Sequence, residues 1–142
     1  MAVNQILPYR LWVGHADDGR DFRKLLELDL KALVQVAIEE APLQPPRELL
    51  YCRFPLLDGI DNRPESISLA LTTTAALVRD HVPTLICCGA GMSRAPLIAA
   101  AGMSLGHGEQ LDVCVQHVAK YHRCDISPGL YSEVRAALDT LR

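Results

Sequence analysis

A chain of 142 residues, 49% hydrophobic and 22% charged, has the size and make-up of one globular domain spanning 1–142. A formal net charge of −3 with no dense basic cluster argues against nucleic acid or an acidic lipid surface as partner, and no apolar run reaches membrane-spanning length. Five cysteines without paired metal-ligand spacing fit reduced thiols, the five scattered histidines build no metal site, and Met1–Arg10 lacks the features of a secretory signal, so a cytoplasmic protein without a metal or other cofactor is expected.

Taken in chain order, Leu11 to Val13 reads as a short first strand, and Asp17 or Asp18 is placed to cap a helix running through Phe22, Leu25 and Leu26. Lys31–Ile38 reads as a strand. The proline-rich stretch Ala41–Pro46 is a surface loop, after which Leu49–Phe54 is extended again. A turn-rich stretch, Asp58–Pro64, leads into a long helix through Leu69, Ala70, Leu77 and Val78. Thr84–Cys88 is the expected central strand. The next helix is expected to run to about Leu105 and to be broken by Gly106–Gly108. Leu111, Cys114, Val115 and Val118 mark the buried face of another, and a last helix spans Pro128–Leu141. Strands alternating with helices predict an α/β fold, a mainly parallel central sheet with helices on both faces and ligands outside the carboxyl ends of its strands.

Cys88 lies at such an end. Between it and Arg94 stand Gly89, Ala90, Gly91, Met92 and Ser93, a glycine-rich turn joining an apolar strand to a helix opened by Pro96. Successive amides of such a turn can converge on one anion, with the helix N-terminus adding its partial positive charge. A cysteine in that field is expected to ionise more easily than a free thiol and to act as a nucleophile, while Arg94 offers a planar fork for two phosphoryl oxygens. The bland alternative, a buried strand cysteine followed by an ordinary turn, explains each part singly but not their order. Ser93 is either a hydroxyl placed near the loop or a small turn residue.

The segment Cys88–Arg94 resembles the Cys-x5-Arg signature loop of the protein tyrosine phosphatase superfamily, and its Gly-x-Ser-Arg ending is most similar to the dual-specificity branch. Phe54–Gly59 is similar to the segment that carries the general acid in that branch, which maps onto Asp58. Leu11–Gly14 and Arg123–Pro128 also echo it. The resemblance implies a phosphoprotein phosphatase: Cys88 attacks phosphorus, Arg94 and the amides of the 89–94 loop hold the oxygens, and Asp58 protonates the leaving oxygen and then activates water. Asp61 is the competing acid.

Two positions depart from the pattern. Most relatives carry histidine before the nucleophile, where this chain has Cys87, and Ser or Thr after the arginine, where it has Ala95. Together they imply an active but slow enzyme. The uncharged loop side chains favour singly phosphorylated proteins or peptides, with phosphotyrosine, and also phosphoserine or phosphothreonine, as substrates. The competing readings are a phosphoprotein-binding pseudophosphatase and, within enzymes, a rhodanese-like sulfurtransferase or arsenate reductase, for which Asp58 has no use. Cys52, on a strand expected to neighbour the central one, is the candidate resolving thiol for an oxidised Cys88, or else a buried apolar residue.

Overall fold

The structure, a computed structural model, describes residues 3–142. Five strands form one sheet: β1 (Asn4–Gln5), β2 (Leu11–Gly14), β3 (Ala32–Gln35), β4 (Leu50–Arg53) and β5 (Thr84–Cys87), in the order β1-β2-β5-β3-β4. All neighbours are parallel except β1, which runs antiparallel to β2 at the edge. The two-residue β1 has no apolar pattern of its own, which is why periodicity misses it. β3 and β5 are buried at every position, as parallel strands covered on both faces must be.

Alternation along β5 sends Leu85 and Cys87 to one face and Ile86 to the other. On the first face Leu33, Leu85 and Cys87 pack with Leu25 and Leu30, under the short helices α1 (Ala16–Arg20) and α2 (Phe22–Glu27). On the second lies the larger core, where Val13, Val34 and Ile86 meet α3 (Pro64–Arg79), α4 (Arg94–His107), α5 (Leu111–Ala119) and α6 (Pro128–Leu141). α4 is buried along almost its whole length. It crosses α3 so closely that a Cβ on Gly102 would stand 2.3 Å from Thr74 Cγ2. No helix among the described residues is long and apolar enough to cross a membrane.

Two expected boundaries and one expected strand neighbour are corrected. The single helix expected after Asp17 or Asp18 is two: His15 caps α1, accepting from the Asp17 amide at Nδ1, while Asp18 is the N3 partner whose carboxylate accepts from the His15 amide at 2.9 Å. Asp21, with ψ 73°, ends α1 and caps α2. The helix expected to end at Leu105 continues through Gly106 to His107, and Gly108, at φ +75°, closes it in the left-handed region. Finally, Cys52 on β4 pairs with β3 rather than β5. One intervening strand puts its Cα about 10 Å from β5, beyond the reach of a disulfide to Cys88.

The register matters for function. Gly14, Gln35 and Cys87 are level across three adjacent strands, and Arg53 is level with Gln35. The segments that follow them, beginning at His15, Val36, Cys88 and Phe54, therefore emerge along one edge of the sheet.

Candidate active site

The loop from Cys88 to Ser93 leaves β5 and enters α4 at Arg94. Its carbonyls are held from outside. Gly89 O accepts from the Ala16 amide at 3.1 Å and Met92 O from the Asp125 amide at 2.7 Å. Gly91 O accepts from His122 Nε2 at 2.6 Å; the Asn4 side-chain amide donates to His122 Nδ1 at 2.9 Å, which fixes the tautomer with the proton on Nε2. Among the described residues, the amides of Gly89 to Ser93 donate to no backbone carbonyl. Gly91 makes this path possible: at φ +78° it lies in the left-handed region, and a Cβ would meet the Gly14 backbone at 2.9 Å.

Cys88 and Arg94 are both buried. Burial pushes the Cys88 thiol above its ordinary value, against the downward pull of hydrogen bonds from the Ala95, Gly91 and Ser93 amides and of the Arg94 charge. The expected easy ionisation is thus corrected: in a site this closed, desolvation outweighs the donors. The Ala95 amide reaches Cys88 Sγ at 3.3 Å. Cys87 faces α1, where a Cβ on Gly19 would stand 2.5 Å from its sulfur, and burial with the neighbouring Cys88 pushes its thiol up to about 12.

Arg94 is gripped along one edge. Its Nη1 donates to Glu39 Oε1 at 2.6 Å and to Leu56 O at 2.8 Å, and Nη2 donates to Glu39 Oε2. The arginine holds the Glu39 carboxyl below the usual carboxylate value. Nε is buried and has no partner. Gly89 leaves room for this pair, since a Cβ there would be 2.7 Å from Glu39 Oε2.

Asp58, Cys88, Arg94 and the loop residues Ala90, Gly91, Met92 and Ser93 line one cavity of about 130 Å³, together with Asp125. Ser93 Oγ donates to Asp58 Oδ1 at 2.6 Å and accepts from the Ser127 amide at 2.9 Å, so the carboxylate is tied to the loop. Gly89 does not line this cavity; it belongs to an adjoining cleft with His15 and Arg20. Asp61 is also absent from the lining, and its amide donates to Glu133 on α6. Glu39, His122 and Asp125 are site residues that the sequence pattern does not single out. Position offers a signal for Glu39, which follows the carboxyl end of a central strand, and Asp125 lies within the family-like segment Arg123–Pro128.

The arrangement brings a cysteine, an arginine, a glycine-rich loop and a carboxyl tied to that loop into one pocket. No family model matches the sequence, and no curated protein sequence does. Solved structures do match. Human DUSP28 superposes with a TM-score of 0.83 at 20% identity, over 98% of this chain and 97% of that one. The human tyrosine phosphatase-like serine/threonine/tyrosine-interacting protein gives 0.78 at 14% over 97% and 96%. OH1 from the Orf virus, a tyrosine phosphatase with triple substrate specificity, gives 0.68 at 18% over 98% and 85%. The chain has the fold of the dual-specificity branch of the protein tyrosine phosphatase superfamily.

Proposed function

We propose that this chain is a cysteine-dependent phosphatase, hydrolysing phosphotyrosine and also phosphoserine or phosphothreonine monoesters on proteins or peptides. The observation that carries the reading is the buried Arg94 Nε, without a partner among the described residues, on a side chain that lines the Cys88 cavity together with loop residues whose amides donate to no backbone carbonyl. A buried donor without a partner costs about 1–3 kcal/mol, and a phosphoryl group seated there satisfies it. Cys88 thiolate attacks phosphorus in line, the phosphorus–oxygen bond breaks, and Asp58 gives its proton to the departing oxygen. Water then attacks the phosphocysteine, Asp58 carboxylate takes its proton, and Cys88 leaves as thiolate with inorganic phosphate released. The hydrogen bond from Ser93 to Oδ1 leaves Oδ2 to carry the transferable proton.

The lining supports a singly phosphorylated substrate over a polyphosphate one. Ala90 and Met92 are uncharged, and Asp125 adds a carboxyl to the lining, so among the described residues no cation besides Arg94 is there to hold a second phosphate. A binding-only role is the second reading, favoured by the upward push on the Cys88 thiol and by the likeness to an interacting protein of the same fold. Phosphate release from p-nitrophenyl phosphate tests both. Turnover by the parent protein with none in Cys88→Ser, which should still bind phosphopeptide, is expected. Absence of turnover in the parent with phosphopeptide binding intact would leave only the binding role.

A further inference from the structure

The turn that carries Asp58 is held at its far side by α6. Glu133 Oε2 accepts from the Asp61 amide at 2.7 Å, and Oε1 accepts from the Asn62 amide at 3.2 Å and from the Asn62 side chain at 3.0 Å. Asn62 passes this hold inward. Its Oδ1 accepts from the Leu57 amide at 2.7 Å, and its Nδ2 donates to the Leu57 and Gly59 carbonyls at 3.2 and 3.1 Å. The residues on both sides of Asp58 are thus bound by one side chain, and that side chain is bound by Glu133.

Two further observations show that the turn is held rather than merely resting there. Asp61 sits at φ +74°, a left-handed conformation that a non-glycine residue keeps where its surroundings over-determine it. Gly129, in the first turn of α6, lacks a Cβ where Ile60 passes; one there would lie 2.6 Å from Ile60 Cγ2. The N-cap of the same helix is Ser127, whose amide holds Ser93 and through it Asp58 Oδ1. α6 therefore fixes the turn from below and the carboxyl from the side. Glu133 does not line the Cys88 cavity; with Asn62 it borders a separate one, of about 280 Å³, between α3 and α6.

We infer that Glu133, acting through Asn62 and the Asp61 amide, is the positioning residue that sets the Asp58 carboxyl over the phosphate loop for proton transfer. This rests on the reading of Asp58 as proton donor. The Asp61 and Asn62 amides donate to one carboxylate, which Asn62 Nδ2 also reaches while sharing its two hydrogens with the Leu57 and Gly59 carbonyls, and a general acid that drifts from its geometry loses its share of the rate.

The test uses aryl phosphates of different leaving groups and the variant Glu133→Ala, with Glu133→Gln beside it, whose amide turns a donor toward one of the N–H groups. Phenyl phosphate, whose phenoxide needs a proton, should lose about 10-fold or more in kcat/KM. 2,4-Dinitrophenyl phosphate, which leaves unprotonated, should keep its parental kcat/KM, which reports formation of the phosphocysteine and not its hydrolysis. Glu133→Gln should fall between parent and Ala. Equal losses on both substrates, or no loss on either, would overturn the inference. Amide hydrogen exchange gives an answer independent of turnover: residues 57–62 should exchange faster in Glu133→Ala while 94–107 are unchanged, and unaltered exchange at 57–62 would remove the clasp. A parent without turnover on any aryl phosphate refutes the phosphatase reading instead, and the exchange experiment still decides whether Glu133 holds the turn.

Discussion

Glu39 occupies both terminal nitrogens of Arg94 and leaves Nε over, so the guanidinium of this cavity-lining side chain is gripped along one edge. The pair is asymmetric in exposure: the arginine side chain is 7% exposed, the glutamate 49%. Glu39→Gln replaces one acceptor oxygen with a donor that faces an Nη. A charge-assisted hydrogen bond is worth about 1.5–3 kcal/mol when dry, and less with a half-exposed partner. A loss in kcat/KM of about 10-fold on p-nitrophenyl phosphate is expected, near the lower of those energies. The pair also makes a pH prediction. A carboxyl held below its ordinary value contributes stability above that value and loses it as pH falls through the folded one. The melting temperature of the parent should exceed that of Glu39→Gln at pH 7, and the gap should close as pH falls below the ordinary carboxylate range. A gap constant over that range would show that the arginine does not hold the carboxyl down.

Ser93 and Asp58 should behave as one unit. Removing a general acid costs about 10²- to 10⁴-fold with poor leaving groups, and Asp58→Asn should lose that much while Asp61→Asn, outside the cavity lining, loses far less. Ser93→Ala frees Oδ1 and is expected to cost about 10-fold. In a double-mutant cycle, Ser93→Ala should cost almost nothing once Asp58 is Asn, because the bond acts only through that carboxyl. Additive losses would instead place the hydroxyl of Ser93 in a role of its own.

The pattern that makes the loop readable is local, and so are the strands that carry it. Apolar runs such as Thr84–Cys87 and Ala32–Gln35 announce buried parallel strands, and glycines before a helix announce a turn with free amides. What periodicity does not contain is which distant side chain meets which. Glu39 reaches Arg94 across 55 positions, His122 reaches Gly91 across 31 and Glu133 reaches Asn62 across 71. Each is a polar residue whose partner is set by the level ends of β2, β3 and β5 or by the docking of α6. The direction of the Cys88 shift escapes the sequence for a related reason. The donors are visible in the loop residues, but the degree of burial that opposes them is a property of the closed fold.

Gly91 is where the loop has least freedom. Its φ is +78°, and Gly14 and His15 backbone atoms lie within 3.0 Å of where a Cβ would stand, so there is no side chain to yield. Gly91→Ala should destabilise the fold by roughly 2 kcal/mol or more, read as a shift in the urea midpoint with an unchanged slope. Gly108→Ala makes a control, since Gly108 has a similar φ of +75° but open space around it. It should cost less, and an equal cost at both sites would assign the whole effect to backbone conformation and none to the contact with β2.

Ala95 turns the reading of the loop into a kinetic statement. Its amide donates to Cys88 Sγ at 3.3 Å, and the residue is fully buried. No hydroxyl stands at this position to stabilise Cys88 as it departs from phosphorus, and burial already disfavours the thiolate. Hydrolysis of the phosphocysteine should therefore be slower than its formation, so the intermediate accumulates. Rapid mixing with p-nitrophenyl phosphate should give a burst of nitrophenol approaching one equivalent per site, followed by a slow steady state. Ala95→Ser should shrink the burst and raise the steady rate by roughly one to two decades, the value of about 1.5–3 kcal/mol for a hydrogen bond to a charged group. No burst in the parent, with a steady rate unchanged in Ala95→Ser, would mean that thiolate departure does not limit turnover and that the Ala95 amide alone suffices at this step.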